Sequence, residues 1–227
     1  MVELADSCGA YLFSDEVYRG LEVDPADLRP AAADLHPRAI SLGGLSKAYG
    51  LPGVRLGWTV CRDAGLNRRM RAAKDFTTIC AAAPSEVLAL IAVRAADRLV
   101  GRAVDGITRN LGLVDEFMRQ RAGAVRWVRP RAGSIGFPEL LIDVPVDAFC
   151  ERLVREHGVL LIPGSMFEVG TNHFRIGLGR ASLPAGLAAL GDFIDELDGG
   201  AGTGALTCGS TDRARSRIRS GIRGPAG

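Results

Sequence analysis

Apolar positions near the start of the chain recur at helical spacing over residues 2–8, up to Gly9, and predict a short helix. AYLFS at 10–14 is a nearly continuous apolar run and predicts a buried parallel strand. Residues 24–38, rich in Pro, Ala and Asp, predict a connecting loop. AISL at 39–42 predicts a second strand that leaves through Gly43–Gly44, and residues 54–60 predict a third around Trp58. Residues 85–121 predict helix, with Val100, Val104, Ile107, Leu111, Val114 and Met118 recurring at steps of three and four. Pro84 stands at its start, where proline is tolerated. Strands are predicted at 124–129 and 135–142 around the turn Pro130–Gly133, then a helix at 146–157 stopped by Gly158. VLLI (159–162) and HFRIGL (173–178) predict further strands. A last helix from Ser182–Pro184 buries Leu187, Leu190, Phe193, Ile194 and Leu197. Short buried strands with glycine-rich exits between helices make an α/β layered fold. Residues 199–227 lose the apolar pattern and predict a disordered tail.

Composition sharpens this picture. The 227 residues are 47% hydrophobic and 24% charged, with a net charge of +2. That excludes a wholly disordered chain and gives no basic nucleic-acid footprint. The sign is uneven, because residues 199–227 hold five Arg and one Asp. No apolar run reaches membrane-spanning length, since Glu86 and Arg94 break the longest apolar region, and the acidic start MVELADSCG does not predict a signal peptide. Five cysteines (Cys8, Cys61, Cys80, Cys150, Cys208) without paired spacing predict reduced thiols in a cytoplasmic protein. Of 28 basic residues only Lys47 and Lys74 are lysine. Where arginine serves for almost every cation, a surviving lysine marks a place that needs an amine.

Three segments carry candidate chemistry. In SDEVYRG (14–20), Asp15 stands where an apolar strand ends, the end at which ligands bind in open α/β sheets, and Tyr18 follows one turn later. The same Asp–Glu also fits the Mg-binding strand of a nucleotide triphosphatase, or a capping Asp beside a surface Glu16. In SLGGLSKAYGLPGVRLGW (41–58), glycines 43, 44, 50, 53 and 57 surround Lys47 and Arg55, eight residues apart. Small residues admit close backbone approach, and the two cations suit an anionic cofactor. The segment has no Gly-Lys-Ser/Thr, so it is not a P-loop, and Gly44 excludes a Ser-x-x-Lys hydrolase. In NHFRIGLGR (172–180), Arg175 lies between Phe174 and Ile176 and is either held in a structural ion pair or used to grip a carboxylate.

Taken in order, SDEVY, GLSKAYGLPGVRLGW and FRIGLG resemble the class I/II aminotransferases, pyridoxal-phosphate enzymes of the fold group of aspartate aminotransferase. The resemblance runs from residue 1 to about 198. It implies a homodimeric enzyme that moves an amino group between an α-amino acid and a 2-oxo acid, using pyridoxal 5'-phosphate. Lys47 would form the imine with the cofactor aldehyde, which no guanidinium can do. Asp15 would pair with the pyridine nitrogen and keep the ring an electron sink. Tyr18 would hydrogen-bond the 3-hydroxyl, and Arg55 would bind the phosphate. Arg175 would hold the substrate α-carboxylate so that the Cα–H bond faces Lys47. The resemblance further implies that residues 1–100 are the C-terminal part of the large cofactor domain and residues 101–198 the small α+β domain.

Two departures stand out. Where the family often has a phosphate-binding serine this chain has Gly44, so that contact falls to backbone N–H groups or to Ser46. The resemblance also places the Asp15 strand near the middle of a family member, which implies an N-terminally truncated chain without the phosphate cradle. A lyase or cyclase acting on a modified amino acid is an alternative, because the same residues serve elimination and TTICAAAPSE (77–86) resembles branches of secondary metabolism. A catalytically inactive fragment is another, and a nucleotide triphosphatase fragment a third. Lys74 is expected to be structural or peripheral, as are His36, His157 and His173, whose scatter gives no metal spacing.

Overall fold

The structure is a computed structural model that describes residues 1–200. The sequence places a disordered tail at 199–227; residues 201–227 lie outside the described residues, whereas Gly199 and Gly200 close the last helix.

The first half is built on a three-stranded sheet. A short helix α1 (Val2–Ser7) leads into β1 (Leu12–Asp15), which pairs in parallel with β2 (Ala39–Gly44), Asp15 lying opposite Leu42. β3 (Gly57–Cys61) pairs antiparallel with β2, so the sheet is mixed and β2 is central. The β1 strand is parallel as predicted, but it is not buried: Phe13 is 57% exposed. The stretch expected to be loop at 24–38 contains a 3-10 turn, Pro25–Asp27, and a short helix α2 (Ala32–Leu35). That helix has no cap of its own, and the Glu16 carboxylate accepts a hydrogen bond from Ala32 N at 2.8 Å in its place.

Close backbone approach fixes the end of this sheet. A Cβ on Gly57 would lie 2.8 Å from Gly43 O, and one on Gly43 would lie 2.5 Å from Trp58 Nε1. Only hydrogen fits at either position, which is why the Lys47 loop begins and ends in glycines.

Helix α3 (Ala64–Asp75) has no counterpart in the sequence prediction. It buries no residue: its apolar pair, Leu66 and Met70 one turn apart, is only half-buried and set among Arg, Asn and Ala, so the pattern is weak. Its start is set by Asp63, whose Oδ1 accepts from Leu66 N at 2.9 Å. The single helix predicted at 85–121 is two, α4 (Ala83–Arg94) and α5 (Ala96–Gln120), broken at Ala95. Helix α4 buries only Ala89 and Ala92, against Leu45 and Val54, while Val87, Leu88, Leu90 and Ile91 are all more than half exposed.

The second half packs small strands on three helices. β4 (Val125–Arg126), β5 (Ile135–Gly136) and β6 (Glu139–Leu140) are shorter than the runs predicted at 124–129 and 135–142. Helix α6 (Val146–His157) matches its predicted bounds and ends on Gly158 at φ +69. Its N-terminus follows Pro145, which offers no side-chain cap; Asn172 Oδ1 accepts from Val146 N at 2.7 Å instead. β7 (Ile162–Pro163) and β5 flank the central β8 (Phe174–Gly177), both antiparallel. Helix α7 (Leu183–Gly200) buries Leu187, Leu190, Phe193 and Ile194. These meet the α5 stripe of Ile107, Leu111 and Val114 and the α6 residues Phe149 and Leu153 in one core. Asn110, itself buried, donates to Leu178 O at 2.7 Å and Arg180 O at 2.9 Å, tying α5 to the exit of β8. Among the described residues no helix is long and apolar enough to cross a membrane.

Candidate active site

The carboxyl ends of β1 and β2 lie side by side, and the two loops leaving them form the candidate site. Asp15 is the last residue of β1 and is exposed. Its Oδ1 accepts from Val17 N at 3.2 Å, while Oδ2 takes no hydrogen bond from the described residues. The following turn meets the β2 exit loop directly, since Ala48 N donates to Val17 O at 3.4 Å. That contact sets Lys47 over Tyr18, with Nζ 5.6 Å from the ring centroid.

The loop from 45 to 56 is closed on itself. Leu45 N donates to Leu56 O at 3.1 Å and Leu51 N to Leu45 O at 2.9 Å. Leu45 is fully buried, so the loop is anchored at its root while Lys47 at its tip is exposed and Ser46 half-buried. Arg55 follows the 3-10 turn Pro52–Val54 in the left-handed region, at φ +54. It is exposed and donates through Nη1 to Pro52 O at 3.0 Å, leaving its other N–H groups free of partners among the described residues. Because Gly44 and Gly57 are paired in register, Ser46, Lys47 and Arg55 share one end of the sheet with Asp15.

Arg175 is placed elsewhere, on β8 of the second sheet. It is half-buried and makes no ion pair among the described residues; its guanidinium carbon lies 5.5 Å from the Phe167 ring centroid. Of the two alternatives for this residue, a structural ion pair has no partner among the described residues. Lys47 and Tyr18 are therefore in contact, Asp15, Ser46 and Arg55 flank them, and Arg175 stands on a different element.

Glu16 does not sit on the surface as one reading of the sequence had it. Its Oε1 accepts from Ala32 N and from Ser41 Oγ, each at 2.8 Å, and Ser41 in turn accepts from Ala33 N at 3.0 Å. A carboxylate committed to that latch is not poised for a magnesium ion. Lys74 donates to Ile79 O at 2.8 Å and closes the turn after α3, a structural use. The histidines are similarly engaged: His36 with Asp6, His157 with Glu196, and His173 stacked on Phe137. The ligand atoms of Glu156, His157 and Glu196 lie within 4.8 Å of one another, but Glu156 is already paired with Arg152.

Sequence reasoning missed one part of this neighbourhood. Leu21–Val23, just past Tyr18, is bridged by residues 131–133 of the second half. Gly133, which adopts a positive φ there, lies inside a predicted turn whose sequence does not signal that pairing.

Fold and site together describe an open α/β sheet with one amine at its ligand-binding end, and the chain belongs to the class I and II aminotransferase family, whose model matches residues 1–186. It is 34% identical over 194 residues to capreomycidine synthase of Streptomyces vinaceus, covering 85% of this chain and 49% of that protein. Among solved structures it is similar to a PLP-dependent aminotransferase from Streptococcus suis, with a TM-score of 0.80 and 33% identity, over 87% of this chain and 52% of that one. It is also similar to the PLP-dependent cyclase OrfR, with a TM-score of 0.77 and 31% identity, over 86% and 52% of the two chains. The chain thus spans about half the length of the curated relatives it matches.

Proposed function

We propose that this chain carries the lysine and the cofactor contacts of a pyridoxal-phosphate-dependent aminotransferase acting on an α-amino acid and a 2-oxo acid. The observation that carries the reading is Lys47, one of only two lysines, held at the exit of β2 with its amine over the Tyr18 ring. The donor set fits the cofactor by its chemistry: an exposed primary amine, a carboxylate with a free oxygen, a phenol, and a guanidinium beside glycine-flanked backbone.

When bound, the cofactor supplies an aldehyde and a ring that draws electrons from the substrate Cα. Lys47 would hold the cofactor through its primary amine, and its free amine would be the base that carries the proton from the substrate Cα. Asp15, whose second oxygen takes no hydrogen bond from the described residues, would pair with the ring nitrogen and favour its protonated form. Tyr18 would offer its hydroxyl to the cofactor's 3-hydroxyl. Arg55 and Ser46 would hold the phosphate, with the loop amides supplying the contact that a serine at position 44 would otherwise make. Arg175 grips the substrate carboxylate through two parallel N–H bonds, which orients the Cα–H bond.

In this reading residues 1–100 belong to the cofactor domain and residues 101–198 to the small domain, and the active form is a homodimer. The exposed Val87, Leu88, Leu90 and Ile91 support an assembly, because a helix apolar on every side calls for cover. The free cysteines Cys8, Cys61, Cys80 and Cys150 support a cytoplasmic location. A second reading, cyclisation of a modified amino acid, is favoured by the likeness to capreomycidine synthase and to OrfR. Product analysis separates the two: a 2-oxo acid from the donor marks transfer, and a ring without loss of the amino group marks cyclisation.

The decisive experiment is to mix the chain with pyridoxal phosphate, reduce with borohydride and map the adduct by mass spectrometry. A pyridoxyl group on Lys47, lost in Lys47→Arg, supports the reading. No adduct, or one spread equally over Lys74 and the amino terminus, leaves only the inactive-fragment alternative.

A further inference from the structure

The two halves of the proposed site are joined by a short backbone strap. Val23 N donates to Arg131 O and Gly133 N to Leu21 O, both at 2.9 Å, with Glu22 and Ala132 bridged between them. Arg131 clamps the strap from its side by a two-point pair to Asp27, Nε to Oδ2 at 2.9 Å and Nη2 to Oδ1. Gly133 closes the strap at φ +85, and its bare α-carbon faces the Tyr18 ring: a Cβ there would stand 3.7 Å from Tyr18 Cδ1. Tyr18 is held from the other direction as well, because its carbonyl accepts from Leu21 N at 3.0 Å and its ring lies under Lys47.

Beyond Gly133 the same backbone runs straight to Arg175. Leu178 N donates to Ser134 O at 2.8 Å, and Ile135 and Gly136 of β5 pair with Gly177 and Ile176 of β8. From the Tyr18 carbonyl, through Leu21, Gly133 and Ser134, backbone hydrogen bonds thus link the segment that carries the Tyr18 ring to the strand of Arg175. At Gly133 the run adopts a positive φ, where an L side chain is strained whatever the space.

We propose that Gly133 is a positioning residue for Tyr18, and that the 131–133 strap sets the Tyr18 ring, and with it the Lys47 amine, relative to the strand that carries Arg175. The proposal deepens the reading of Lys47 and Tyr18 given above and rests on it. Space is not what forbids a side chain at 133, since 3.7 Å is an ordinary contact. The obstacle is the backbone. An alanine there either pays the left-handed penalty or swings to negative φ, which breaks the Gly133 N bond to Leu21 O and releases the turn under Tyr18. Asparagine, which tolerates the left-handed region, keeps the strap closed.

The test compares Gly133→Ala, Gly133→Asn and Asp27→Asn in the full chain. In the cofactor-free protein, the Tyr18 ring resonances, assigned with Tyr18→Phe, are followed by NMR, and amide exchange is followed over residues 17–24. Gly133→Ala is expected to shift the Tyr18 ring signals and to speed exchange roughly 5- to 30-fold, the factor that corresponds to a left-handed alanine. Gly133→Asn restores both. Asp27→Asn loosens the same segment without touching the strained residue, which keeps the test open if the alanine variant does not fold. With pyridoxal phosphate added, the pH profile of the bound chromophore shifts in Gly133→Ala and returns in Gly133→Asn. Unmoved Tyr18 signals in a folded Gly133→Ala chain overturn the proposal. Faster exchange with unmoved ring signals overturns it too, because it shows a role in stability alone. If wild type forms no adduct on Lys47, the reading of the site fails, and the cofactor-free signals still decide whether Gly133 positions Tyr18.

Discussion

Replacing Asn110 by alanine tests how the second half holds the strand of Arg175. Asn110 is 5% exposed, and its Nδ2 spends both hydrogens on backbone carbonyls, Leu178 O at 2.7 Å and Arg180 O at 2.9 Å. Alanine removes both bonds and leaves the carbonyl of Leu178, a fully buried residue, without that partner. Two net hydrogen bonds at about 1 kcal/mol each, plus about 1 kcal/mol for an unpaired buried acceptor, give a loss of roughly 3 kcal/mol. For a chain of this size that lowers Tm by roughly 6–12 °C. Asn110→Asp destabilises at least as much, since a carboxylate turned to two carbonyls repels both. The measurement is urea unfolding followed by circular dichroism, with the midpoint falling and the slope unchanged. A change under about 0.5 kcal/mol refutes the assignment of Asn110 as the tie between α5 and β8, because surface substitutions alone reach that size.

Gly57→Ala puts a Cβ 2.8 Å from Gly43 O, a backbone atom, so the root of the Lys47 loop is forced apart. The expected cost is about 1–3 kcal/mol with a fall in pyridoxyl labelling of Lys47, read by mass spectrometry after borohydride reduction. Asp63 is held below the usual carboxylate range by the Tyr11 hydroxyl at 2.5 Å and by the Leu66 amide. A lowered folded-state value means that its stabilisation is present above about pH 4 and is lost as pH falls through the folded value. Amide exchange at the start of α3 is therefore expected to speed up below that range in wild type, and without that step in Asp63→Asn. Burial, with Asp147 nearby, pushes the Cys150 thiol up to about 11. Iodoacetamide at pH 8 is expected to label the exposed Cys8 and Cys80 and to reach Cys150 only after unfolding, as peptide mapping would show.

What the sequence revealed follows from how each element is held. Helices α5, α6 and α7 bury apolar stripes and were legible from periodicity, even though Ala95, neither Gly nor Pro, hid the break between α4 and α5. Helix α3 was missed because its one apolar pair, Leu66 and Met70, is half-buried among polar residues, and its clearest sign was a capping Asp. The strands of the second half were overdrawn because their apolar residues serve one core while only two to four residues of each pair in a ladder. At the candidate site, Lys47 stood out as one of two lysines among arginines, and its role is the one proposed above. The sequence left the role of Glu16 open between alternatives, because its partners, Ala32 and Ser41, lie across a turn and a strand. Gly133 was unreadable as a neighbour of Tyr18, since nothing local to either residue encodes the pairing.

Burial is uneven between the halves, and that bears on how the proposed site works. Fully buried Phe149, Phe174 and Phe193 cluster around α5, α6 and α7, so β8 and Arg175 stand on a packed frame. Around Lys47 the cover is thinner: the second core amounts to Leu45, Val54, Ala89 and Ala92, and Phe13 and most of α4 face outward. A loop resting on so small a core samples other positions unless something else restrains it. Leu21 and Ala48 supply that restraint, because both are buried in the main core although they belong to the loops that leave β1 and β2. The amine of Lys47 is therefore placed less by its own sheet than by two residues lent to the core of the other half, one of which, Leu21, is also where the strap takes hold.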